Sequence, residues 1–130
     1  MFACAFAENA IGSGSYKPGD IIKGKNGIAV NIGNTDAEGR LVMADSMTLV
    51  QERYNPAKVM YIATLTGGCI VALGNTTAGY FTLDDGLAAL IKSSGEKNNE
   101  PFWELPINDE IRGKIKGQGK ASWDITNFSG

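Results

Sequence analysis

At 130 residues the chain is sized for one domain with a real but modest core. Its 12 Lys and Arg against 14 Asp and Glu leave a net charge of -2, with no block of like charge, so neither nucleic acid nor an acidic membrane surface is an expected partner. It contains no histidine, which excludes Ser-His-Asp and Cys-His catalysis and any His-ligated zinc centre built from these residues alone.

In chain order, the opening MFACAFA (residues 1–7) is apolar, lacks a basic lead-in and is too short for a signal core or membrane span, so it reads as a buried strand. Cys4 lies there and Cys69 in GGCIVAL. Two cysteines in apolar runs suit buried thiols in a reducing, cytoplasmic setting. Residues 8–19, rich in Gly, Ser and Pro, read as a loop. Residues 20–23 and 28–32 read as strands of a hairpin, because Asn26-Gly27 favours the positive φ angles of a tight turn. Apolar positions including Leu41, Met43, Met47 and Val50 predict a well-buried helix from Arg40 to Tyr54, ending before Asn55-Pro56. VMYIAT (59–64) has the unbroken apolar character of a strand covered on both faces, with TLTGG at its end. This βαβ-like order implies an α/β sheet whose site lies at strand ends. A second helix is predicted from Thr82 and Asp85 as a capping pair, with Leu87, Leu90 and Ile91 at helical spacing and Gly95 beyond its end. The polar tail carries FWELP and SWDITNF, whose Trp103 and Trp123 suit segments docked on another surface. Arg112, Lys114, Lys116 and Lys120, interleaved with Gly, suit a solvated stretch.

Chemistry concentrates in residues 34–41, NTDAEGRL, between the hairpin and the first helix. On extended backbone Asp36 and Glu38, two apart, would point the same way, and two such carboxylates repel unless a cation lies between them. With no His or Cys nearby the ligand set would be all oxygen. Ala37 and Gly39 allow close backbone approach, and Arg40, permanently charged, can hold an anion or a developing oxyanion. Acids ahead of a helix equally serve to cap its free N–H groups, and spacing alone leaves both readings open.

The octapeptide NTDAEGRL resembles the signature of the leucine aminopeptidase family. AEN (7–9) and SYKPGDII (15–22) upstream, and LVMADSMTLV, IATLTGGCIVALGN, AGYF and FWELP downstream, follow in that family's order until about Asp109. The resemblance implies an α/β fold with a mixed sheet flanked by helices, part of a zinc-peptidase-like catalytic domain over residues 1–130. It also implies a cytosolic metallo-aminopeptidase that hydrolyses N-terminal residues such as leucine from peptides. By the same resemblance, Asp36 and Glu38 bind two divalent ions (zinc, manganese or magnesium), with Glu38 bridging. Arg40 holds a bicarbonate that relays a proton, and Thr64, Leu65 and Gly67 line the substrate site. A hexamer is the implied assembly. The family's segment with a lysine and two further aspartate ligands has no match here, nor do its N-terminal domain and C-terminal end. The expectation is therefore a chain inactive in isolation, completed by residues or a subunit outside it. The alternative is a non-catalytic structural or interaction module derived from an aminopeptidase.

Overall fold

The computed structural model describes residues 2–129. In chain order its elements are β1 (Ile21–Lys23), β2 (Ala29–Asn31), a 3-10 turn (Thr35–Ala37), α1 (Gly39–Tyr54), α2 (Gly68–Leu73), β3 (Ala78–Tyr80), α3 (Asp85–Asn98), β4 (Phe102–Glu104), α4 (Asp109–Ile115) and β5 (Ile125–Thr126). They fall into two units, residues 2–65 with 114–129, and residues 66–113. The fold is α/β, with a mixed sheet in the first unit and a parallel pair in the second.

In the first unit β1 and β2 form the expected antiparallel hairpin, pairing Ile22 with Val30. The ladder extends outward because the Gly19 N–H donates to the Ile32 carbonyl (2.7 Å) and the Ile32 N–H to the Asp20 carbonyl (2.8 Å). At the turn Gly27 takes the expected positive φ (+87°) while Asn26 does not enter the left-handed region, so the tight turn expected from Asn-Gly forms with glycine alone in that conformation. β5 then pairs with β2 in parallel, Val30 opposite Ile125. SWDITNF thus docks within this chain.

Val30 and Ile32 share a face of the extended chain and, with Ala37, are the buried apolar side chains among the described residues. Such burial stabilises by about 1.5–3 kcal/mol for each large side chain, so this core is small. Three expectations of burial fail accordingly. Residues 2–7 and 59–64 form no strand, and Phe6 and Ile62 are 93% and 88% exposed; Met1 of the first run lies outside the described residues. Ordering an extended backbone costs about 1–2 kcal/mol per residue, which a ladder partner and apolar cover must offset, and no described strand pairs with either run. Cys4 is likewise exposed, and Cys69 half-buried. Finally, α1 has the predicted span but no fully buried residue. It ends where Asn55 turns left-handed (φ 42°), its N–H donating to the Gln51 carbonyl. The hairpin turn is tied to α1 by the Lys25 N–H on Asp45 Oδ1 (2.8 Å) and by a Lys25–Glu52 ion pair at 2.7 Å, exposed and therefore weak.

In the second unit β3, α3 and β4 make a βαβ unit with parallel strands, Gly79 opposite Trp103, later in the chain than predicted. The N-cap of α3 is Asp84, whose Oδ1 accepts from the Leu87 N–H (2.9 Å), while Thr82 Oγ1 accepts from the Asp84 N–H. The helix also runs past Gly95 to Asn99 (φ 56°). Gly95 is buried, and a Cβ there would collide with the Glu100 carbonyl and the Phe102 ring. This glycine therefore serves close approach, not termination. Among the described residues no helix is long and apolar enough to cross a membrane.

Candidate active site

The NTDAEGRL loop leaves β2 through Ile32 and is shaped by asparagines. Asn34 is extended (φ -146°, ψ 125°), and its Oδ1 accepts from the Asp36 N–H at 2.9 Å, an Asx turn that starts the 3-10 turn. Ala37 is buried beneath, its N–H donating to the Asn34 carbonyl at 3.3 Å. Glu38 is already helical (φ -72°, ψ -37°), and its carbonyl accepts from the Leu41 N–H (2.9 Å) and the Val42 N–H (3.1 Å). The backbone between the two acids is thus a tight turn and not the extended stretch expected. At about three residues per turn, side chains two apart leave in different directions. Convergence of Asp36 and Glu38 becomes a matter of side-chain torsions.

Neither acid does the capping work that the plainer reading assigns to it. Glu38 occupies the N-cap of α1 without any side-chain cap hydrogen bond, and the turn's free amide is met by Asn34. Both side chains are exposed.

The loop's remaining backbone groups are met from the tail by Asn127, a residue that inspection of the sequence does not single out. Only 3% exposed, it receives the Gly33 N–H at 2.8 Å and donates to the Asn34 carbonyl at 2.8 Å. Arg40, the second residue of α1, sends Nη1 to the Asn127 carbonyl oxygen at 2.9 Å. That bond holds one arm of the guanidinium beside the loop. Tyr16, from the SYKPGDII lead-in, has its phenol pKa raised first by burial and then by the Glu38 carboxylate, so it lies within electrostatic reach of Glu38. Leu65 closes on the loop's other end, where a Cβ placed on Gly39 would lie 2.6 Å from Leu65 Cδ2. Thr64 precedes it in exposed, irregular chain. Gly67 belongs to the second unit, where it forms the N-cap of α2 and accepts the Val71 N–H at 3.1 Å. The structure therefore gathers Asp36, Glu38, Arg40 and Leu65 about one turn.

As a metal site, two exposed, uncommitted carboxylates fit two oxygen ligands of a hard divalent cation. Among the described residues no third His, Cys, Asp or Glu joins them, so the residues present fit part of a coordination sphere.

Residues 1–130 match the family model described as the cytosol aminopeptidase family, catalytic domain, and the class is that of an α/β peptidase catalytic domain. A probable cytosol aminopeptidase of Cenarchaeum symbiosum (strain A) is 44% identical over 128 residues, covering 92% of this chain and 26% of that protein. One of Chlorobaculum tepidum is 48% identical over 109 residues, covering 84% of this chain and 22% of that protein. Among solved structures, a tomato leucine aminopeptidase mutant superposes with a TM-score of 0.87 at 35% identity, over 95% of this chain and 24% of that one. The chain belongs to the cytosol aminopeptidase family. It spans about a quarter of the length of these relatives.

Proposed function

We propose that the chain contributes the Asp36–Glu38–Arg40 part of a cytoplasmic, metal-dependent aminopeptidase site acting on N-terminal residues such as leucine, and that in isolation it has negligible peptidase activity. The observation that carries this reading is the uncommitted state of the two acids. If they were there to cap α1, Glu38 at its N-cap would accept an amide, and it does not. The loop instead takes its local contacts from Asn34 and Asn127, which leaves both carboxylates facing solvent.

On this reading Asp36 and Glu38 would hold divalent ions of the zinc, manganese or magnesium kind, with the remaining ligands supplied from outside these 130 residues. When bound, such ions supply polarisation of the scissile carbonyl and activation of water. Arg40, held at one arm, offers its other N–H donors to an anion such as bicarbonate placed to relay a proton. Thr64, Leu65 and Gly67 are assigned to the peptide by the family resemblance alone, and the working assembly is an oligomer, a hexamer by the same resemblance. The absence of a third acidic residue among the described neighbours leaves a second reading, a non-catalytic module derived from an aminopeptidase.

Incubation of the pure chain with manganese or zinc and leucine p-nitroanilide tests the proposal. Negligible turnover is expected, together with weak manganese binding that disappears in the Asp36→Asn/Glu38→Gln double variant, since affinity follows ligand number and geometry. Robust turnover would overturn the claim of inactivity in isolation. Manganese binding indifferent to the double substitution would overturn the site and favour the non-catalytic module.

A further inference from the structure

We propose that Asn127 is a positioning residue for the carboxylate loop, a proposal that rests on reading that loop as a divalent-cation site. The carboxamide of Asn127 is almost fully buried and spends its whole hydrogen-bonding capacity on the loop. Its Oδ1 accepts from the Gly33 N–H (2.8 Å) and the Asn34 N–H (3.3 Å), while its Nδ2 donates to the Asn34 carbonyl (2.8 Å) and the Ala37 carbonyl (3.4 Å). One planar group thereby clasps positions 33 to 37, the backbone from which Asp36 projects and which delivers Glu38 to the helix. Its main chain completes the arrangement, because the N–H donates to the Asn31 carbonyl at 3.1 Å and the carbonyl accepts Arg40 Nη1 at 2.9 Å. The same residue therefore sets both the acids' turn and the guanidinium.

Only an amide side chain meets this demand. Two donors and two acceptor positions in one plane are what four backbone groups of mixed sign require. Aspartate keeps the acceptors but faces the Asn34 and Ala37 carbonyls with no donor, and alanine leaves the Gly33 and Asn34 N–H groups and the Ala37 carbonyl without this partner and the Asn34 carbonyl with the Ala37 N–H alone. The tail itself is registered separately at its other end, where the Ala29 N–H donates to Asp124 Oδ2 (2.8 Å) and the Asp124 N–H to the Ala29 carbonyl (2.9 Å). Asp124 touches β2 and not the loop, which makes it the control that separates holding the tail from shaping the site.

The experiment titrates the 130-residue chain with manganese, reading free ion by electron paramagnetic resonance, and follows thermal melting in parallel. With Asn127→Ala or Asn127→Asp the affinity is expected to fall about ten-fold, the scale of removing a partner that orients metal ligands. Asp124→Ala should melt earlier and yet keep its affinity. An Asn127→Ala affinity equal to that of the unaltered chain overturns the proposal, and so does an equal loss in Asp124→Ala. If the Asp36→Asn/Glu38→Gln variant binds as well as the unaltered chain, the cation reading itself fails and the proposal falls with it. Should Asn127→Ala not fold, the unaltered chain decides by nuclear magnetic resonance. Magnesium should shift the Asn127 side-chain amide signals in step with the Asp36 and Glu38 amides, and Asn127 signals that stay fixed while those move overturn the assignment.

Discussion

The carboxylate loop and the chain around TLTGG are the two stretches expected to build the site, and they are held in opposite ways. Residues 33–40 are fixed by polar contacts from within the chain, through Asn34, Asn127 and the Arg40 arm. The stretch from 59 to 65 is mostly apolar, irregular and exposed, and it meets the loop where Leu65 lies against Gly39. Hydrogen bonds are satisfied pair by pair and can preform a loop with few neighbours. An apolar strand is ordered only by a surface that covers it. A short piece of chain can therefore hold one of these stretches in place and leave the other without cover.

Proteolysis gives the largest expected signal of that difference. Brief proteinase K digestion followed by mass spectrometry should cut within residues 2–12 and 59–65 at least about a hundred-fold faster than within 29–40, because cleavage follows the free energy of local opening. Comparable cleavage in 29–40 would break the contrast, since the loop would then be no better held than the apolar run.

A pair of glycine substitutions sharpens it at the level of single contacts. A Cβ on Gly33 would lie 3.1 Å from both the Phe128 carbonyl oxygen and Thr126 Oγ1, so the tail's backbone must give way. Gly33→Ala should cost about 1–2 kcal/mol in denaturant unfolding. A Cβ on Gly39 meets only the tip of Leu65, a side chain that can rotate aside. Helix propensity at the start of α1 then offsets the contact, and Gly39→Ala should stay within about 0.5 kcal/mol of the unaltered chain. The reverse order would mean that Leu65, and not the tail, is the rigid side of the loop.

The same contrast explains what was legible beforehand. The hairpin and α1 are written in local signals, an Asn-Gly turn and apolar residues at helical spacing, and the octapeptide is specific enough to mark the family. The extended reading of Asp36–Glu38 fails because Asn34 turns the chain at once, an effect of one side chain on the next amide but one. Runs 2–7 and 59–64 signal a need for burial, yet apolar character does not say what does the burying. Strands as short as β3, β4 and β5 have no periodicity to read. Asn127 sits in such a stretch, and its partners lie about 90 residues away in sequence, so no local pattern announces it. Gly95 shows the opposite failure, a stop signal that tertiary approach to Glu100 and Phe102 converts into a packing position.

The smallest effect tests which way Glu38 faces. Burial raises the Tyr16 phenol pKa above its usual value of 10.0, and the Glu38 carboxylate adds to the rise. The neutral phenol is thus favoured in the folded chain, and the stability this contributes is present below the unfolded pKa and lost as pH climbs through the folded one. Phenolate absorbance, compared with that of Tyr16→Phe to isolate this tyrosine, should show titration above the ordinary range. Glu38→Gln should lower the midpoint only part of the way, because burial, the larger cause, remains. In Tyr16→Phe the loss of stability at alkaline pH should be shallower. A Tyr16 midpoint indifferent to Glu38→Gln would place the carboxylate on the far side of the turn from Tyr16, and the proposed cation site would then have to lie on a different face of the loop.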